Sequence, residues 1–223
     1  MLRDPSALAL EGRGHAIAGL ASLLTDAPWT VDDGDLERLR AAGLDDEGAV
    51  QVVTIAAVFN HLVRMADGTG VEADYPSPLP RFEVDRAREP IPRPDRAEWP
   101  TARPRLSRAL RPATEASIAA WRDYIFTPGL GLSARDRAVI AGTAAFHLCD
   151  AAGVDEHGDA TPRDAREAAL SAYAEKLTRT PWRMSAEDLA PLRAQGLDDR
   201  GLLHVIATTG MQNALSRLRL ALG

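Results

Sequence analysis

The sequence predicts an all-α fold, and three observations carry that prediction. No segment alternates apolar and polar residues as a strand does. The apolar segments are long and are separated by prolines and glycines of the kind that end helices. A phrase of helix punctuation is also written twice, as LTDAPWTVDDGDLERLRAAGLDD at 24–46 and LTRTPWRMSAEDLAPLRAQGLDD at 177–199. Sliding one copy onto the other at a constant offset of 153 residues pairs 25–70 with 178–223 without a gap, and 18 of those 46 positions are identical. Two copies make an internal duplication; a solenoid needs three or more.

Each copy reads as helix, turn, short helix, turn, long helix. Pro28 and Pro181 end the preceding helix, because proline has no N–H to donate and crowds the earlier turn. Thr30 and Ser185 are the predicted N-caps of the short helix, each followed three residues on by Asp33 or Asp188. Gly43 and Gly196 stand where a left-handed residue closes a helix. Asp45-Asp46 and Asp198-Asp199 then put negative charge at the start of the long helix, where the dipole favours it. The long helix of the first copy, 49–63, is apolar around nearly its whole circumference and is expected to be central and buried. Its counterpart, 202–215, is more polar. Between the copies, 74–104 is a stretch of 31 residues holding 8 of the 15 prolines. That composition predicts an extended arm. It is locally basic, with 9 Arg against 5 Asp or Glu from 81 to 111, which suits either a flexible linker or a strap lying on an acidic face. Helices are predicted over 106–127 and 133–152, broken at Pro128-Gly129, and over 163–177. The chain thus divides into 1–73, the arm 74–104, and 105–223, with the first and last packed as one unit.

Composition narrows the function. With 223 residues, 45 % of them apolar, the chain can bury a substantial core. Its net charge is −6, which argues against nucleic acid as a partner. No uninterrupted apolar run reaches the length of a membrane span, and the amino end lacks the pattern of a signal peptide, so a cytoplasmic protein without a membrane partner is expected. The lone Cys149 excludes an internal disulfide.

The phrase L-T-x-x-P-W, D-L-x-x-L-R-A-x-G-L-D-D, with A-x-F-N-x-L-x-R-x-A-D-G-x-G-V-E after the first copy and LSARDRAVIAGTAAFHLCDAAG upstream of the second, resembles the peroxidase-related branch of the alkylhydroperoxidase D-like, carboxymuconolactone decarboxylase-like superfamily. The resemblance covers 18–74 and 106–223. It implies a helical, commonly oligomeric protein whose active members use a Cys-x-x-Cys pair with an upstream Glu and a downstream His. Laid on Leu132-Ser133, the family glutamate falls at Ala138 and the cysteines fall near Asp150 and Gly153, while His157 stands near the expected histidine. The dithiol is missing, and reduction of a hydroperoxide by such a pair needs both an attacking and a resolving thiol.

The candidate catalytic residues are therefore Cys149, His157 and His61. Each has a plainer reading: a buried cysteine is usually a small hydrophobe, and His157 reads equally well as a solvated loop residue. Asn60 and Arg64, with Asn213 and Arg217 in the second copy, are polar residues at i, i+4 on otherwise apolar helices. They either bond the ends of neighbouring helices or form a pocket in which Arg64 holds an anion beside His61. The histidine spacing supports no metal site, and no cofactor is implied. The expected function is a superfamily protein without thiol peroxidase activity; a cysteine-independent enzyme, a small-molecule binder and a scaffold stay open. A homo-oligomer is expected, because the first copy lacks the helices that precede the second.

Overall fold

A computed structural model describes residues 10–71, 85–101, 106 and 110–223 of the chain. Among them there are nine α-helices and no strand, so the fold is all-α. The first copy holds α1 (Gly12–Asp26), α2 (Asp33–Ala41) and α3 (Asp46–Thr69). Then come α4 (Pro112–Phe126), α5 (Ala134–His147) and α6 (Ala151–His157). The second copy holds α7 (Ala165–Arg179), α8 (Ala190–Ala194) and α9 (Asp199–Leu222).

The offset of 153 carries α1 onto α7 and α3 onto α9 end to end, so the two copies share an element pattern that begins earlier than the 25–70 alignment. Their punctuation matches as well. Gly43 and Gly196 take φ of 83° and 81°, the left-handed region. Asp45 and Asp198 cap the long helices, each accepting from a glycine N–H three residues on at 2.8 Å. Arg40 and Arg193 reach Asp46 and Asp199 across the same turn. In the short helix the N-cap is Asp32, not Thr30: Asp32 accepts from the Asp35 N–H and Asp35 accepts from the Asp32 N–H, a full capping box. Thr30 instead closes a short 3₁₀ turn, Pro28–Thr30, by donating to the Ala27 carbonyl. The counterpart of Asp32 is Ser185, whose N–H donates to Asp188. Pro191 has no N–H for the carbonyl four residues back, and the segment before α8 tightens to a 3₁₀ turn at Ala186–Leu189.

Helices α3 and α9 form the centre of the molecule and run in opposite directions. Gly68 meets Ile206 and Gly210 meets His61; a Cβ on either glycine would fall under 3 Å from those side chains. Each copy then builds its own core. Leu20, Leu24, Leu36, Leu39, Val50 and Val53 pack together in the first. Ile140 of α5 joins Leu170, Leu177, Leu192, Val205 and Ile206 in the second.

Two expectations are corrected here. The apolar α3 is the less buried of the two long helices: Ile55 and Phe59 keep 58 % and 60 % exposure, and Leu62 and Val63 are also exposed. The more polar α9 is buried along most of its length, since α4 and α5 cover it in addition to α7, whereas α3 has α1, the counterpart of α7, and no helices among the described residues packed on it as α4 and α5 pack on α9. Its polar side chains are satisfied internally: Thr208 and Thr209 donate to carbonyls four residues back, and Ser216 donates to Asp150. The second correction concerns 133–152, which is not one helix. It stops at His147, Cys149 turns left-handed at φ 58°, and Asp150 caps α6 by accepting from the Gly153 N–H at 3.0 Å. Measured by window rather than by run, α3 is also long and apolar enough to cross a membrane, with a mean hydropathy of 1.4. It carries buried Asn60 and Arg64.

The described part of the arm, 85–101, is extended apart from a turn at Arg86–Ala87 and a short 3₁₀ turn at Arg96–Glu98. It is held less by acidic groups than by an arginine. Arg183 donates to the carbonyls of Arg86, Ala87 and Arg88 and to the Glu89 carboxylate. Arg93 lies over the Phe146 ring, 4.4 Å from its centroid, and Trp99 meets the same ring edge-on.

Candidate functional site

The reciprocal arginines explain how the copies are joined. Arg217 of α9 donates through Nε to the Leu24 carbonyl and through Nη2 to the Thr25 carbonyl, at 2.8 and 3.0 Å, closing the end of α1. Arg64 of α3 donates through Nη2 to the Thr178 carbonyl at 3.2 Å, closing the end of α7. Each guanidinium is oriented by the asparagine four residues back: Arg64 and Arg217 both reach the Oδ1 of Asn60 and Asn213 at 2.8 Å. Each asparagine in turn donates to a threonine hydroxyl of its own copy, Asn60 to Thr25 and Asn213 to Thr178, on the helix that the other arginine closes. A cation at a helix C-terminus meets the negative end of the dipole and the free carbonyls together. This is the helix-end role the residue spacing suggested.

The pairing is not symmetric. Arg217 uses all its nitrogens, whereas Arg64 Nε has no partner among the described residues. Arg64 also lies on a cleft of about 580 Å³ between the two copies. Its walls come from α1, from α3 (Phe59, Asn60, Val63, Arg64, Asp67) and from the ends of α5 and α7; the arm, 85–93, and the Pro181–Met184 turn complete it. Trp29, Ile91, Trp182 and Met184 make much of the lining apolar. Three buried polar atoms without a described partner belong to residues lining it: Arg64 Nε, His147 Nδ1 and Trp182 Nε1.

Burial also sets the charges. Desolvation pulls the Arg64 guanidinium down to about 10, against the pull of Asp67 and Asp26. Arg217 is lowered for the same reason and further by the nearby Arg64. Asp67 is raised by burial, with Arg64 opposing. His147 is pushed down to about 4 by burial, so its imidazole is neutral at physiological pH; its Nε2 stands 3.5 Å from Glu175. Asp26 is engaged by Arg88 at 2.5 Å, and Arg88 also lies over the Trp182 ring.

Of the polar pairs singled out in the sequence, Asn60, Arg64 and Arg217 line this cleft. His61 is on another face of α3, where its Nε2 accepts from Trp121 at 3.4 Å and burial lowers its pKa. His157 shares a 2.8 Å hydrogen bond with Gln212 and stacks on Phe126. Cys149 is buried in the turn after α5, and desolvation raises its thiol to about 11. The candidates Cys149, His157 and His61 therefore do not share a site with Arg64. Among the described residues no cluster of three or more His, Cys, Asp or Glu side chains is placed to hold a metal ion.

No family model, curated protein or solved structure matches this chain.

Sequence reasoning missed His147, Asp67 and Trp182. The signal for Asp67 was available, since it lies three residues after Arg64 on the same helix face. His147 reaches the cleft because α5 ends at that residue, and its spacing from Arg64 carries no hint of it.

Proposed function

We propose that the chain is a small-molecule-binding protein of alkylhydroperoxidase D-like, carboxymuconolactone decarboxylase-like ancestry that does no thiol chemistry. The cleft carries this reading. Its volume falls in the range of about 300–1,000 Å³ typical of ligand sites, and it combines apolar walls with a few convergent polar groups. Thiol peroxidase activity is disfavoured by a single cysteine that is buried and held protonated. The test is calorimetric and thermal-shift screening of the full chain against small organic acids, amides and alcohols. Saturable binding that is weakened by Phe59→Glu at the cleft mouth supports the reading, and a library without a single cleft binder refutes it.

One observation favours a second reading, a cysteine-independent enzyme of the decarboxylase kind. Asp67 and His147 line one cleft with their proton affinities pushed in opposite directions, Asp67 up and His147 down, the arrangement that divides acid from base roles. Product formation from a bound acid, lost in Asp67→Asn, would favour it over simple binding. The exposed apolar face of α3 (Ile55, Val58, Phe59, Leu62) supports the expected homo-oligomer, which light scattering on the eluting protein tests.

A further inference from the structure

We propose that the occupant of the cleft is a monoanion with an apolar body, in chemical class a small carboxylate, whose charged group is received by Arg64. This rests on the reading of the cleft as a ligand site.

Charge is the first argument. The lining holds six arginines (Arg64, Arg86, Arg88, Arg93, Arg179, Arg217) against three aspartates (Asp26, Asp67, Asp85) in a chain whose net charge is −6. Arg64 and Arg217 keep only 3 % and 1 % exposure, and neither makes an ion pair within 4 Å among the described residues. All their partners are neutral carbonyls and amides. A buried cation with no carboxylate in contact is costly even with Asp67 and Asp26 nearby, and a bound anion lessens that cost.

Donor chemistry is the second argument. Arg64 Nε and Trp182 Nε1 can only donate, so whatever satisfies them must accept. The pseudo-symmetric copy provides an internal control. The nitrogen of Arg217 equivalent to Arg64 Nε has its carbonyl, Leu24, at 2.8 Å, while Arg64 Nε is buried without a described partner in a residue that lines the cleft. The aspartates argue for a single negative charge. Asp67 is already raised by burial, and a dianion such as phosphate beside it would meet repulsion that a carboxylate halves. The body of the ligand is apolar because Trp29, Phe59, Val63, Ile91, Trp182 and Met184 line the rest.

The experiment is isothermal titration calorimetry on the full chain at neutral pH and low salt with matched probes: benzoate, 2-naphthoate and decanoate, their primary amides, their amine analogues, and inorganic phosphate. At least one acid is expected to bind about tenfold or more tightly than its amide, the gain of a charge-assisted over a neutral hydrogen bond. Arg64→Gln should abolish that preference. Trp182→Phe, which keeps the ring and removes the donor, should reduce it severalfold and covers the case in which Arg64→Gln fails to fold. Acid and amide binding equally overturns the inference while leaving the ligand-binding reading intact. Phosphate binding as tightly as the best acid overturns the monoanion, and no binding by any probe overturns both.

Discussion

Replacing Arg217 with Met should destabilise the protein more than replacing Arg64 with Met, although the two residues occupy equivalent positions 153 residues apart. Either change removes the bond to the asparagine Oδ1 and to one helix-end carbonyl, Thr25 for Arg217 and Thr178 for Arg64. Either also removes a buried charge, which returns part of the loss. These contributions are common to both and cancel in the comparison. What remains is the Leu24 carbonyl, bonded by Arg217 Nε and orphaned in Arg217→Met, for which Arg64 has no counterpart. An unsatisfied buried acceptor costs about 1–3 kcal/mol, so the two variants should differ by about that much. The gross loss in Arg217→Met, two orphaned helix-end carbonyls and the Asn213 Oδ1, is about 3–9 kcal/mol before the charge is discounted. Equilibrium urea unfolding followed by far-UV circular dichroism reads the difference from the midpoints, provided the m-values agree. In a thermal melt it corresponds to about 2–4 °C per kcal/mol for a chain of this size. Equal losses, or a greater loss in Arg64→Met, would show that the free Nε of Arg64 is satisfied in solution and would remove the asymmetry on which the site rests.

Three further outcomes are expected. With its thiol raised from 9.0 to about 11, Cys149 should react with an aromatic disulfide reagent roughly a hundredfold more slowly in the native protein than in urea, and Cys149→Ser should leave any background peroxide reduction unchanged in a coupled assay. His147, lowered from 6.5 to about 4 and facing Glu175, Arg93 and Arg179, takes up its proton in the unfolded chain first. Stability should therefore be flat above pH 6.5, fall between 6.5 and 4 by on the order of 2 kcal/mol, and level off below that, a loss that His147→Gln should lessen in urea titrations at each pH. Arg183→Thr, which places in the second copy the residue found at Thr30 of the first, should free 85–89 and speed trypsin cleavage there severalfold, with a shift in global stability below about 1 kcal/mol; unchanged cleavage would mean the arm is held by Arg88, Arg93 and Trp99 without it.

How much of this was legible in the sequence follows from the range of each interaction. Gly43, Gly196, Asp45 and Asp198 act within one turn of themselves, and their roles could be read directly. The capping box was misplaced by two residues because Thr30 and Asp32 are both good caps. Only the offset of 153, which pairs Asp32 with Ser185, separates them. The break at Cys149 was hidden because no glycine or proline marks it; Asp150, which caps α6, was the one signal. Burial of the long helices was inverted for a physical reason. Hydrophobic periodicity reports what a helix face would prefer to touch, and which helix is covered depends on where α4 and α5 pack. The cleft residues divide the same way. Asn60 and Arg64 were visible as an i, i+4 pair repeated in both copies. His147 and Trp182 were not, since only tertiary packing brings them to one wall.

Differences between the two repeated segments account for the groups gathered in the cleft. The two segments close each other's helix ends through Arg64 and Arg217. Equivalence is lost through residues that differ between the copies. Where the first copy has Thr30 the second has Arg183, which grips the arm, and the arm brings Arg86, Arg88 and Arg93 to the cleft. The helices before the second copy add His147 and Leu148 to it. Both arginines line the cleft in which this charge gathers, but only Arg64 keeps a nitrogen without a described partner. A structural pair of arginines can stay structural in both copies and still acquire a ligand in one, because a guanidinium closing a helix end needs only part of its donor fork. The nitrogen left over is where a new function costs the fold least.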